Sequence, residues 1–243
     1  MRLLAGTSGF SYKEWKGSFY PETMKESGML SYYAERFDTV ELNNTFYRLP
    51  NETTLRQWSS HVPPQFQFSV KASRIITHIK RLKEVADPVA YLFRTVSALG
   101  EQCGPVLFGL PPNMKKDVAR LELLLALVPG DARVAFEFRN DSWLDDEVYD
   151  LLRAHHAALC IAQTEDAETP FVSTTGWGYI RLRKEAYDAG ELADWRRRIA
   201  AQSWSDAYIY FKHEDAGTGP RLAREFLELE PSVERPNAGG VVR

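Results

Sequence analysis

The chain has only two cysteines, Cys103 and Cys160, in 243 residues. Two thiols so far apart exclude a disulfide scaffold and fit a reducing, cytoplasmic compartment. Long hydrophobic runs are missing as well. No stretch approaches the roughly 20 apolar residues that cross a bilayer, and no basic leader precedes the first apolar run at Leu3. Neither a membrane partner nor a signal peptide is therefore expected. There is little excess of either charge: the net charge is −3, which excludes a chain-wide basic field and confines any basic footprint to a local patch. No glycine-rich dinucleotide fingerprint follows the first strand pattern, and no H-E-x-x-H spacing occurs. Gly6-Thr7-Ser8-Gly9 is not a nucleophile elbow.

What is present is alternation. In residues 133–140, Val134, Phe136 and Phe138 fall on one side of an extended chain, and Ala135, Glu137 and Arg139 on the other. Helical patterns flank this strand, so its Phe face should pack on helices and its Glu/Arg face should point at whatever the sheet encloses. Charge there is costly unless it is paired or solvated. The same alternation recurs at residues 39–43, 66–71, 179–183 and 208–212, and residues 2–6, 105–110 and 159–164 read as further strands, the second of them continuously apolar. Amphipathic helical stripes separate most of these strands, among them Leu30, Tyr33 and Phe37, and Val89, Leu92, Phe93, Val96 and Leu99. Eight such strands alternating with helices in about 250 residues is the count of an α/β protein of the (β/α)8 barrel type. One unit falls short: residues 166–176 lack an amphipathic period, so the helix between strands six and seven should be short or missing. The expected organisation is one barrel over residues 1–230 with a flexible tail over 231–243, rich in Pro and Gly.

Barrel enzymes carry their sites at the C-terminal strand ends. The inward faces there hold Glu41 and Asn43 on strand two, Lys71 on strand three, and Glu137 and Arg139 on strand five. Strand seven adds Arg181 and Arg183, and strand eight Lys212. Two acids against five bases make a cationic mouth in an acidic chain, and such a mouth selects a phosphate or carboxylate. Glu137 and Glu41 are the candidate acid–base groups; Lys71, Arg139, Arg181, Lys212 and Asn43 are the candidate substrate-binding groups. Glu137 should be the more necessary acid, because Arg139 lies two residues on along the same face, whereas Thr39 and Asn43 beside Glu41 are neutral. The competing reading of these charges is a mutually paired polar plug.

Gly217-Thr218-Gly219-Pro220, opening the last helix, could add backbone N–H groups to an anion site. His78, His213, Glu214 and Asp215 could converge with the acids on a metal, but no spacing supports one. No metal or cofactor is assigned. Trp15, Phe19, Tyr20, Phe46, Tyr47 and Trp143 follow strands on the mouth side and serve either as packed lids or as stacking platforms for a ring.

Several segments carry a resemblance. Gly6-Thr7-Ser8-Gly9-Phe10-Ser11-Tyr12, Trp15-Lys16-Gly17, Phe19-Tyr20-Pro21, the run from Thr39 to Tyr47, Phe68-Ser69-Val70-Lys71-Ala72, Thr77-His78, Leu110-Pro111-Pro112, Glu137-Phe138-Arg139 and Ser142-Trp143 are similar to the DUF72 (YecE-like) family. The resemblance covers most of the chain. It implies a TIM barrel and no established reaction. The chain departs from the family pattern after its last two strands, at Arg181-Leu182-Arg183-Lys184 and Phe211-Lys212-His213-Glu214-Asp215. The residues on their own favour an enzyme acting on a small anionic, phosphorylated substrate; phosphodiester hydrolysis is one version, by analogy with other TIM barrels. The alternative is a non-catalytic module for a small anion or nucleic acid. Oligomeric state is left open.

Overall fold

The computed structural model describes residues 1–213 and 215–229; the expected tail and Glu214 lie outside the described residues. Eight parallel strands form the sheet: β1 (Arg2–Thr7), β2 (Thr39–Leu42), β3 (Gln67–Lys71), β4 (Cys103–Gly109), β5 (Val134–Glu137), β6 (Ala158–Gln163), β7 (Gly178–Leu182) and β8 (Asp206–Phe211). From β2 to β8 each strand pairs with the next, and β8 pairs with β1. The helices α1 (Glu26–Ala34), α2 (Glu52–Ser60), α3 (Ala86–Val96), α4 (Val118–Leu125), α5 (Asp146–Ala154), α6 (Ala189–Ala200) and α7 (Thr218–Glu228) lie between and after the strands. This is the expected (β/α)8 arrangement. The expected gap is also there: among the described residues no helix joins β6 to β7. Instead Phe171 stacks on Trp204 with ring centroids 5.8 Å apart. The Thr174 hydroxyl accepts from Leu159 N–H and donates to Ala157 C=O, tying the irregular segment to β6.

Alternation divides the side chains into two cores. Val40, Phe68, Val70, Phe108, Phe136, Ile161, Ile180 and Ile209 face outward and are buried under the helices. Leu4, Leu107, Ala135, Cys160, Tyr179, Tyr208 and Tyr210 fill the barrel. The small Ala135 and Ala158 share this cluster with the large tyrosines, the mixture of sizes that fills a barrel interior. Residues 133–140 use their alternation as expected, although ladder pairing covers only Val134–Glu137. Phe138 leaves the ladder yet continues the outer stack, 5.0 Å from Trp143 and nearly parallel to it.

The ring is completed at β1 and β2 by side chains more than by ladder bonds. Ser8 bridges to Glu41, and Gly9 N–H donates to Glu41 C=O at 2.8 Å. Lower down, the Tyr33 hydroxyl from α1 is wedged between the strands, accepting from Thr7 N–H at 2.8 Å and donating to Thr39 C=O at 3.1 Å. A Cβ on Gly6 would stand 2.2 Å from Thr39 O and 2.8 Å from that hydroxyl, so only glycine admits the wedge. Tyr33→Phe should strand a buried donor and a buried acceptor. The expected loss is about 2–3 kcal/mol, or roughly 5–10 °C in Tm. A thermal melt checks this; an unchanged Tm would mean that the hydroxyl does not hold the seam.

Candidate functional site

The strand ends bring Glu41, Lys71, Glu137, Arg139, Arg181 and Arg183 together inside the C-terminal mouth. β7 sends Arg181 across the barrel, where it is 1% exposed. One terminal nitrogen donates to both oxygens of Glu137 at 2.9 Å, and the other donates to Glu41 at 2.9 Å. Glu137 also accepts from Arg139 at 2.9 Å and Arg183 at 3.1 Å. Glu41 accepts from the Ser8 hydroxyl at 2.6 Å and the Tyr179 hydroxyl at 2.7 Å. Beneath this layer the Tyr210 hydroxyl lies 2.6 Å from Ser69 Oγ and 2.7 Å from Thr39 Oγ1.

Electrostatics follow from this geometry. Burial alone would push the Glu137 carboxyl up, but Arg181, Arg139, Arg183 and Lys71 outweigh it and hold the group well below the usual carboxylate range. Glu41 is likewise buried and likewise lowered, by Arg181 and Lys71 and by its two hydroxyl donors. The expectation that neutral neighbours leave Glu41 less constrained is thus corrected: its constraint arrives from β7, which strand-local reasoning did not consider. Lys71 behaves differently. Burial and the Arg181 charge push its amine down to about 8. Among the described residues it forms no ion pair or hydrogen bond, and its Nζ lies 4.9 Å from the Phe46 ring centroid.

The mouth therefore opposes two carboxylates with four cationic side chains. A recess of about 280 Å³ opens beside them, lined by Glu137, Arg139, Arg183, Asp141, Thr164 and Glu168, among others. Glu168 is occupied by Arg198 and Gln163. Arg139, its side chain 32% exposed, bonds Glu137 and still borders open space. A larger recess, about 1020 Å³, lies at the opposite strand ends near Arg2, Cys103 and Arg133, the end that barrel enzymes use for stability.

Three candidate residues take other places. Arg181 was expected to hold the anion; buried with both terminal nitrogens on carboxylates, it is the clamp that fixes Glu41 and Glu137. Asn43 turns away from the cluster into a separate recess of about 330 Å³ beside Gly9, Phe10 and Trp58, because the chain leaves the strand conformation there, at φ −83° and ψ −32°. Lys212 is half-buried after β8, its N–H donating to Leu182 C=O at 3.1 Å. Gly217 and Gly219 support close packing against Ser18, Thr7 and Trp15; the aromatic loop covers the start of α7. Trp15, Tyr20 and Trp143 are packed, while Tyr47 is 70% exposed. Cys103 and Cys160 are free thiols pushed up by burial. Among the described residues no group of three or more His, Cys, Asp or Glu side chains is arranged to hold a metal.

Sequence reasoning did not single out Ser8, Tyr179 or Tyr210 as site residues. The signal for the tyrosines was the face they share with Arg181 and Lys212; Ser8 gave none, since its partner lies on another strand. The segment after β3 adds His78, carried on a π-helical turn (Ile75–Ile79) 4.9 Å from Phe46. Arg81, Leu82 and Glu84 follow with left-handed φ of 49°, 64° and 49°, a concentration of strain of the kind found beside binding sites.

Fold and mouth together define a TIM-barrel protein with a buried Glu–Arg–Glu clamp under a cationic rim. The family model described as "Protein of unknown function DUF72" matches residues 4–238, and the chain belongs to that family. It is 25% identical to UPF0759 protein YunF of Bacillus subtilis (strain 168), over 87% of this chain and 90% of the relative. A crystal structure of a DUF72 family protein from Thermotoga maritima MSB8 superposes with a TM-score of 0.80 at 27% identity, covering 93% of this chain and 98% of that one. D-psicose 3-epimerase shares the fold alone, with a TM-score of 0.51 at 12% identity over 92% of this chain and 90% of its own. The family's description gives no activity or substrate. Among the described residues no helix is long and apolar enough to cross a membrane.

Proposed function

We propose that the mouth binds a small anionic substrate of the phosphate-ester class and acts on it as an enzyme. The observation that carries this reading is the surplus of cations in the buried cluster: Arg139 and Arg183 border a recess, and Lys71 stands beside the same Glu137, with Glu41 and Glu137 set against four positive groups. Arg139 and Arg183 take the anion. Glu137 and Glu41, held ionised, orient the arginines and stabilise positive charge that develops near them. Hydrolysis of a phosphodiester is the first reaction to screen. Cytoplasmic residence belongs to the same proposal and rests on the free thiols. A strand of nucleic acid held without chemistry has one observation in its favour, the exposed Tyr47 with the Arg74 guanidinium 5.7 Å from its ring centroid.

Calorimetric titration with phosphate and with a phosphodiester tests the reading. Binding should weaken with salt. Arg139→Ala with Arg183→Ala should weaken it by at least roughly tenfold, the worth of one charge-assisted hydrogen bond. No heat with any phosphate compound, or an unaffected double variant, would overturn it.

A further inference from the structure

We propose that Lys71 is a covalent nucleophile that forms an imine with a carbonyl group of an anionic substrate, such as a phosphorylated aldehyde or ketone or a 2-oxo acid. The proposal rests on the anion-binding part of the function above and adds the chemistry of the substrate's other end.

The geometry sets Lys71 apart from its neighbours. It is the last residue of β3 and points into the mouth from a rigid strand. Arg139, Arg181 and Arg183 all donate to Glu137, and Arg181, Ser8 and Tyr179 donate to Glu41, so both carboxylates that act on the amine are already occupied. The Lys71 ammonium is left without an anionic hydrogen-bond partner among the described residues. Gly109 of β4 stands alongside, where an added Cβ would lie 3.9 Å from Lys71 Cε and 3.1 Å from Glu137 Oε2. The missing side chain lets Glu137 and the Lys71 stem pack against the β4 backbone. Phe46 closes the other side. A desolvated lysine beside another cation is the arrangement that produces a reactive amine near neutral pH. Its lowering to about 8 agrees with this environment.

The step balances. The neutral amine attacks the carbonyl carbon, forming the C–N bond and a carbinolamine. Nitrogen then supplies its lone pair to C=N as the former carbonyl oxygen departs. The two hydrogens lost from nitrogen leave with that oxygen as water. The substrate's phosphate or carboxylate would lie on Arg139 and Arg183, placing the carbonyl toward β3.

The test is reductive trapping on the full chain. Glyceraldehyde 3-phosphate, dihydroxyacetone phosphate and pyruvate are each incubated with cyanoborohydride, and the labelled peptide is identified by mass spectrometry. Label should concentrate on the Lys71 peptide. Its rate should rise as pH climbs through about 8, below the range of exposed lysines. Inorganic phosphate should compete. Propanal, which lacks the anion, should label Lys71 at least roughly tenfold more slowly, if one charge-assisted hydrogen bond is lost. Lys71→Arg should abolish the site-specific label while keeping the cation. Label spread evenly over the lysines of the parent protein would overturn the proposal without recourse to any variant. Phosphate binding in the same preparation separates the two readings: binding without a Lys71 adduct removes the imine alone, and absent binding removes the anion site.

Discussion

Glu137→Gln is expected to lower stability by about 3–5 kcal/mol, the cost of removing one partner of a buried ion pair. In a chain of this size that is roughly 6–20 °C in Tm. Glutamine keeps the shape but loses the charge that faces Arg181, Arg139 and Arg183. Glu41→Gln should cost less. Arg181 keeps Glu137, the amide oxygen in the Oε1 position can still accept from Ser8 and Arg181, and the amide nitrogen can donate to the Tyr179 hydroxyl. Arg181→Met should rescue part of the Glu137→Gln loss, because it removes the cation left unpaired; a double-mutant cycle by urea denaturation measures the coupling. Phosphate or sulfate should raise the Tm of Glu137→Gln more than that of the parent, since the variant mouth has one more unneutralised cation. Equal small losses for both glutamate variants would mean that the clamp contributes little to stability.

Acid sensitivity has the second largest effect. Both carboxylates have folded-state values below the ordinary 4.5. A group lowered by folding contributes stability that is fully present above its unfolded value. That stability is lost as pH falls below the unfolded value and on through the folded one. Unfolding free energy should therefore be insensitive to these groups above roughly pH 5.5 and fall below it, by up to about 1.4 kcal/mol per pH unit for each carboxylate. Urea titrations between roughly pH 3 and 6 test this. Glu137→Gln should flatten the slope by about one group's share. An unchanged slope in that variant would contradict the assignment.

The barrel was legible because period-two alternation is local: every strand carries its own outward apolar row, and that row alone assigns the inward residues. The inward placement of Glu41, Lys71, Glu137, Arg139 and Arg181 followed from it. The missing helix before β7 was legible for the same reason, as an absent period in residues 166–176. Pairings across the barrel were not legible. Arg181 reaches Glu41 over a sequence separation of 140, and no spacing rule encodes that contact. So Arg181 read as a ligand for substrate, and Glu41 as the less constrained acid. Asn43 was misplaced by one residue's change of backbone from extended to helical, which ends the alternation on which its assignment relied. Gly217 and Gly219 looked like an anion cradle because a tight turn and a close-packed turn have the same composition; only the neighbouring aromatic loop distinguishes them.

The Tyr33 wedge makes the barrel resemble a split ring with a clasp. Seven of its joints are strand ladders; the eighth depends on a phenol hydroxyl and on the bridge from Ser8 and Gly9 to Glu41. Amide hydrogen exchange should therefore find its earliest opening among the strands along β1 and β2, and each opening would release Ser8 from the same carboxylate that Arg181 grips. Breathing of the wall and the charge balance of the mouth are mechanically linked through Glu41, so an anion that tightens the mouth should slow exchange at a seam it never touches.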